Sequence, residues 1–478
     1  MRSTSAAGAS SQTLAAGFVH PVLRWASAPT GLPRSVDERA TQPTTMRTMA
    51  RQHSRPRWHY SPLQTWMNDP NGLIHYAGTW HLFYQSNPSD DRWGNMSWGH
   101  ATSPDLLTWT EHHVALWHTD SEEIFSGSCV FDATNSSALG TADWPPLVAI
   151  YTANYRPGSE RHGTQAQCLA YSLDGGSHWT NYSGNPVLDR GSANFRDPKV
   201  FRHGDAWVMV AVEAEDQQVV IYRSANLVDW TYCSTFGPAH AATGAWECPD
   251  LFELPVAGHD ETRWVLLVNV NPGGVAGGSG CQYFVGDFDG HTFTPDRVIA
   301  TSTDRDLGLD DPLLRSYDWF DYGRDCYAVV SFADAPAGRR IVLGWMNNWD
   351  YAADVPLTGG RSIMTIPREL DLVLLDDGYR VRQRPVRELP VDALQHHALA
   401  AGDRVVINGV ALDYHNGVLS LDRRGVGMND FHEAFGSRQW AEVPGEPETV
   451  HVNVLVDTCS IEVFAAGGLV TISDLVFF

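Results

Sequence analysis

The chain has 478 residues, 43% of them hydrophobic, enough for two or three cored domains or one large all-β domain. Its 56 acidic against 33 basic residues give a formal net charge of −23, with no basic patch interleaved with aromatics. Nucleic acid and an anionic membrane surface are therefore not expected partners, whereas a neutral substrate such as a sugar is indifferent to this field.

Residues 1–60 carry eight Arg and only Asp37 and Glu38 as acids. Leu14 to Leu23 is a weak apolar segment broken by His20 and Pro21, and Ala26-Ser27-Ala28 follows as a candidate cleavage site. A secretion signal, a disordered extension over 1–56 and a true start at Met46 or Met49 are three readings of this segment. The location of the protein is accordingly extracellular or cytoplasmic.

From residue 57 the texture is β. Runs such as Trp80–Tyr84, Leu147–Tyr151, Ala206–Val210 and Trp264–Val268 are aromatic or β-branched, with Gly, Pro, Asn and Asp between them. The first motif, Trp66-Met67-Asn68-Asp69-Pro70-Asn71-Gly72, reads as a polar turn in which Pro70 keeps Asp69 extended. Ser103-Pro104-Asp105-Leu106-Leu107-Thr108-Trp109-Thr110 recurs as Ser224–Thr231, in longer form as Ser172–Thr180, and with Phe for Trp as Gly286–Thr294. Each copy is expected to be a hairpin turn followed by an aromatic-bearing strand. A β unit repeating at roughly 60 residues points to propeller blades, about five of them over 57–366.

Two further carboxylates share the setting of Asp69. Asp197 lies in Phe195-Arg196-Asp197-Pro198, and Glu247 in Trp246-Glu247-Cys248-Pro249. All three have Pro one or two residues after and an aromatic one to three residues before. Inner strands of a propeller line one channel, so equivalent blade positions bring the three to one mouth. Carboxylates sharing a site cannot all ionise freely, so at least one pKa rises. That supplies an ionised attacker and a protonated acid, the pair that glycosidic cleavage needs; a third carboxylate beside Arg196 is expected to stay ionised and hold substrate.

No metal or cofactor is expected. The 20 His form no His-Glu-x-x-His cluster, and the seven Cys form no Cys-x-x-Cys pair, so neither zinc nor a disulfide framework is indicated. Gly273–Gly280 is Gly-rich but precedes no helix pattern, and is read as a flexible loop rather than a phosphate cradle. After Ile366 the strands alternate more cleanly, at Leu419–Asp422, Val450–Asp457, Ser460–Phe464 and Leu469–Ser473, as in a small antiparallel sandwich over 367–478.

At this point the chain resembles glycoside hydrolase family 32, the β-fructofuranosidases. The motifs that carry the resemblance are Trp66–Gly72, Phe125-Ser126-Gly127-Ser128, Arg196-Asp197-Pro198, Glu247-Cys248-Pro249-Asp250, Gly344–Trp349 and Ile461-Glu462-Val463-Phe464. The resemblance implies an all-β chain, a five-bladed β-propeller followed by a small, shortened C-terminal β-sandwich. It implies Asp69 as nucleophile, Glu247 as general acid/base and Asp197 as transition-state stabiliser. Asn68, Gln85, Trp93, Phe125, Ser126, Arg196 and Trp345 would line a pocket for a fructosyl unit, with levan, inulin or sucrose as substrate. The mechanism would be retaining, with the two working carboxyls roughly 5–5.5 Å apart. Two departures stand out: Cys326 replaces an aromatic, and the stretch between Leu389 and Leu419 is short enough that the sandwich would lack strands. A fructosyltransferase would use the same carboxylates, whereas a non-catalytic carbohydrate-binding propeller would be expected to lose Asp69 or Glu247.

Overall fold

Strand-forming runs of Val, Ile, Leu and aromatics pair with their sequence neighbours, because short Gly, Asn and Asp turns bring consecutive strands together antiparallel. The computed structural model describes residues 55–303 and 307–478, so the readings made for residues 1–54 lie outside the described residues. Five antiparallel sheets follow one another. The first contains Thr65–Tyr76, Thr79–Asn87, Ser97–Ser103 and Thr110–Glu111. The second runs from Glu122–Phe131 to Thr180–Asn181, the third from Phe195–His203 to Thr231–Phe236, and the fourth from Ala245–Pro255 to Phe293–Pro295. The fifth is built from Tyr327–Ser331, Ile341–Met346, Arg368–Leu375 and Gly378–Pro385. The first strand of each sheet touches the first strand of the next, and that of the fifth touches that of the first, closing a five-bladed propeller. Its second strands are the most buried; every residue of Ala206–Glu213 is inside.

The repeated sequence is the link between third and fourth strands. Asp105 Oδ1 accepts from the backbone N–H of Leu107 and Thr108, Leu106 takes φ 66°, and the Trp109 indole donates to Leu106 O at 3.0 Å. Asn226, Leu227 (φ 65°) and Trp230 repeat this, and in the second blade Trp179 donates to Gly176 O at 3.1 Å. A side-chain acceptor fixes the turn, and the indole locks it onto the blade.

The expected end of the propeller at 366 falls inside the fifth sheet. Arg368–Leu375 and Gly378–Pro385 are the outer half of that blade, which therefore runs to Pro385. The segment before them is long because it returns to the centre. Gly360 and Arg361 pair in parallel with Thr65 and Trp66, joining the last blade to the first.

Residues after 390 form two four-stranded antiparallel sheets, whose inner faces share a core that includes Leu399, Leu412, Leu421, Val452, Ile461 and Ile472. The stretch between Leu389 and Leu419, expected to leave this sandwich short, supplies three strands: Leu394–Ala400, Arg404–Ile407 and Val410–His415. Cys326 is buried in the apolar core shared with Cys281, Phe320 and Leu370.

Propeller and sandwich meet over buried charge. His59 Nδ1 donates to Asp457 Oδ2 (2.8 Å) and its Nε2 donates to Glu462 Oε2 (2.7 Å), while Arg368 bridges Glu462 Oε1 and Asp321 Oδ2. Asp457 also accepts from the backbone N–H of Arg57 and Trp58, which anchors the start of the described chain. Burial alone would lower the His59 pKa, but the hydrogen bonds to Asp457 and Glu462 reverse this and push it up to about 9. A raised histidine contributes stability that is complete below its ordinary 6.5 and is lost as pH rises through about 9. The Asp457 and Glu462 carboxyls are both held low, so their share is present above their ordinary values and is lost on acidification. His59→Gln is therefore expected to cost about 3 kcal/mol near pH 6 and to flatten the fall of Tm between pH 6.5 and 9. A wild-type Tm that stays level across that interval would refute this role.

Candidate functional site

The motif Trp66–Gly72, read as a turn, is part of the inner strand Thr65–Tyr76 of the first blade. What breaks it is a bulge: pairing slips between Met67 and Pro70. The same slip recurs in every inner strand, at Phe125/Gly127, Arg196/Lys199, Glu247/Asp250 and Tyr327/Val330. Asp197, Cys248 and Ala328 stand at the bulges with φ of 61°, 44° and 52°. One extra residue per strand, with Pro following at Asp69, Asp197 and Cys248, turns the side chains of this layer towards one end of the channel.

There a cavity of about 360 Å3 is lined by Asn68, Asp69, Gln85, Trp93, Phe125, Ser126, Arg196, Asp197 and Glu247, with Gln165 and Trp349. Nine of the ten expected site residues thus converge. Trp345 does not line the cavity. It is fully buried behind it, with its indole N–H on Ser362 Oγ at 2.9 Å. Its ring lies 4.8 Å from that of Trp349, which faces the cavity in its place and stacks 6.0 Å from Trp66.

The segment carrying Trp349 is held by the Gly-rich stretch, which is a bonded turn. Gly273 and Gly274 N–H donate to Gly278 O, Ser279 Oγ accepts from Trp349 N–H at 3.1 Å, and Asn348 Nδ2 donates to Gly277 O. Gly278 has φ 64°, and a Cβ there would lie 2.1 Å from Asn348 Oδ1, so the close approach needs glycine.

Asp69 sits at the floor. Its Oδ1 accepts from Asn68 Nδ2 (3.0 Å), and its Oδ2 accepts from Ser126 Oγ (2.6 Å) and the Cys248 thiol (3.6 Å). Asn68 is itself fixed by the Trp66 indole at 2.7 Å. Burial and the charge of Glu247 raise the Asp69 pKa, and the three donors oppose the rise. Asp197 Oδ2 accepts from Cys248 N–H (2.9 Å) and from the same thiol (3.7 Å), so Cys248 bridges the two aspartates. Glu247 Oε1 accepts from Arg196 Nη2 (2.9 Å) and Nε (3.1 Å), and its Oε2 from Tyr327 O–H (2.5 Å).

The charge of Arg196 is shared, because the guanidinium is turned to Glu247 and approaches Asp197 only to 3.9 Å. Burial therefore dominates Asp197. Against the opposing charge of Arg196, it and the charges of Glu247 and Asp69 push the pKa up to about 7. The register explains the pairing. Arg196, Glu247 and Tyr327 are each the last paired residue before the bulge in three successive blades, so their side chains meet.

The rim is aromatic. Trp93 is 48% exposed, and its ring meets the edge of Phe125 at 6.1 Å. The Phe125 carbonyl is held by the Trp98 indole at 3.0 Å, and Gln85 donates to Ile124 O at 3.1 Å. Sequence reasoning missed Gln165, Trp349, Tyr327 and the bridging role of Cys248. Gln165 is buried, and its Oε1 has no partner among the described residues, leaving an acceptor at the cavity wall. Two of them carried a signal: Cys248 in its place between Glu247 and Pro249, and Trp349 at the end of the Gly344–Trp349 motif. Among the described residues, no three His, Cys, Asp or Glu are grouped as a metal ion would require.

The N-terminal domain of glycosyl hydrolases family 32 matches residues 59–385, and the family's C-terminal domain matches 410–477. A levanase of Bacillus subtilis (strain 168) is 41% identical over 88% of the chain, which spans 66% of that protein's length. The crystal structure of exo-inulinase from Aspergillus awamori superposes with a TM-score of 0.80 at 35% identity, covering 90% of this chain and 94% of the other. That of β-fructofuranosidase from Schwanniomyces occidentalis complexed with fructosyl-erythritol does so with 0.77 at 30%, covering 91% and 93%. With both domains matched and the same propeller and sandwich in its relatives, the chain belongs to glycosyl hydrolases family 32.

Proposed function

We propose that the protein is a retaining hydrolase that releases terminal fructose from β-fructosides such as levan, inulin and sucrose, working through a fructosyl-enzyme. The observation that carries this reading is the convergence of Asp69, Asp197 and Glu247 on one pocket of about 360 Å3. The activities by which the relatives are named, levanase, exo-inulinase and β-fructofuranosidase, support it.

In the first step an Asp69 oxygen attacks the anomeric C2, and the C2–O bond to the leaving group breaks. Glu247 gives its proton to the leaving oxygen, and the product is a covalent fructosyl ester on Asp69. In the second step Glu247, now a carboxylate, takes a proton from water. The water oxygen bonds to C2, fructose leaves, and both carboxyls return to their starting states. Ser126 and Asn68 point Asp69 into the pocket, and Arg196 and Tyr327 orient Glu247. Asp197 accepts from fructosyl hydroxyls, hydrogen bonds that strengthen as positive charge spreads over the ring.

Incubation with sucrose, inulin and levan is expected to yield free fructose from each, with the fructan chains shortened from their ends. Oligofructosides or a cyclic difructose as main products would overturn hydrolysis in favour of fructosyl transfer.

Trp349 supplies the apolar wall against the sugar. Trp349→Ala is expected to raise KM for sucrose about tenfold, the equivalent of roughly 1.4 kcal/mol of lost ring contact. Trp345→Phe should leave KM within about twofold while lowering Tm. The opposite ranking would return Trp345 to the pocket wall.

A further inference from the structure

A pocket of about 360 Å3 takes the terminal fructosyl unit, and the rest of a fructan chain leaves through its mouth. Trp93 stands at that mouth, half in solvent, and a second indole stands further out, that of Trp117, 56% exposed. Strand register fixes its place. Gln85, in the pocket wall, pairs with Trp98, and Trp98 pairs with Leu116. Leu116 therefore lies two strand spacings, about 10 Å, out along the first blade from Gln85. Trp117 is the next residue, level with Ser97, which pairs with Ser86 as Ser86 does with Met67. It is thus at the end of the blade where Met67 and Asn68 enter the site. The other exposed aromatics are elsewhere. Trp144 precedes Leu147, which pairs with Phe131 at the opposite end of an inner strand, and Tyr232 is on the outermost strand of the third blade.

Both indoles are carried on fastened backbone. Ahead of Trp93, Asp90 O accepts from Trp66 N–H at 3.0 Å, and Asn87 Nδ2 donates to Arg92 O at 2.7 Å. After Trp117, His118 N–H donates to Ser97 Oγ at 3.0 Å. Arg156 ties the two segments together, donating to Asn95 Oδ1 at 3.0 Å and to Thr119 O at 3.4 Å. The two rings are therefore held in place before any ligand arrives, and a sugar chain laid against them orders little protein. An indole face open to water beside a sugar pocket suits the C–H face of a sugar ring. We propose that Trp117, beyond Trp93, is a shelf for the fructosyl units behind the terminal one, so that the enzyme favours a fructan chain over sucrose, whose single glucosyl unit ends short of it. The inference rests on the proposed activity and adds to it a preference for polymer and the residue that sets it.

Trp117→Ala is expected to raise KM for inulin about fivefold. KM for sucrose, and kcat on both substrates, should stay within about twofold. Trp117→Tyr keeps a ring and should restore most of the inulin KM, which a merely structural loss would not predict. In an Asp69→Asn background, the affinity for inulin read by calorimetry should fall by the same factor when Trp117→Ala is added, a readout that needs no turnover. Inulin KM and affinity both unchanged, or equal rises in KM for sucrose and inulin, would overturn the shelf even with sucrose hydrolysed normally. An unchanged inulin KM with a fall in mass by light scattering would give the indole to a second copy of this chain. Failure of the wild type to release fructose from sucrose, with inulin affinity still dependent on Trp117, would sink the proposed activity and leave the shelf standing.

Discussion

Asp69→Asn is expected to abolish fructose release from sucrose and inulin, with kcat reduced on the order of 10⁵-fold. The amide has no charge to offer C2 and forms no ester, so the reaction loses its covalent route rather than one contact among several. Folding should survive. The Asp69 pKa is raised by burial and by Glu247, so at pH 7 its charge is a burden that the native state carries. A carboxyl raised in the folded state destabilises above its ordinary value of 3.8, and that penalty disappears in acid. Asp69→Asn should thus melt at or above the wild-type Tm near pH 7, and lose any such advantage towards pH 3. An inactive variant with a markedly lower Tm at pH 7 would mean that Asp69 is structural. Near-normal turnover would end its assignment as nucleophile.

The second large effect is that of Glu247→Gln, with kcat on sucrose falling about 10³–10⁴-fold. Here the signature lies in which substrates suffer. A sugar leaving group departs only with a proton, which the substituted amide cannot give. An aryl fructoside whose phenolate leaves unaided needs no acid, so formation of the fructosyl-enzyme should be largely restored with it. Hydrolysis of that intermediate would still lack a base, giving a burst of phenolate followed by a slow steady state. Azide, which needs no deprotonation, should then accelerate turnover. Equal loss on sucrose and on the aryl fructoside would show that Glu247 merely holds Arg196 and Tyr327, its partners at 2.9 Å and 2.5 Å, in place.

Much of this was legible without coordinates because it is local. The Ser-x-Asp-Leu and Ser-x-Asn-Leu strings ending in Trp announce a turn that closes within a few residues, so they mark the third-to-fourth strand link of the first and third blades. Pro after Asp69, Asp197 and Cys248 marked inner-strand irregularity for the same reason, although the string around Asp69 proved to be a bulged strand and not a turn. The blade boundary at 366 was misplaced because strand texture does not say which sheet a strand joins. Arg368–Leu375 enters the fifth blade only by pairing across a segment that first visits the first blade.

The amino-acid sequence by itself determined an all-β propeller with a sandwich and singled out three carboxylates, since each is written in a short run whose meaning is set by neighbours, while most of their pocket was implied by the family resemblance. The tertiary structure alone decided what those groups touch. In a bulged strand a one-residue offset exchanges the faces to which side chains point. That offset puts Arg196 in line with Glu247 and Tyr327 rather than beside the neighbouring Asp197, and leaves Asp197 with a pKa pushed up to about 7. The clasp of Gly360 on Thr65 and the Gly278 turn bring Trp349 to the wall and bury Trp345 behind it. Such contacts join residues far apart in the chain, and only closure of the propeller makes them neighbours.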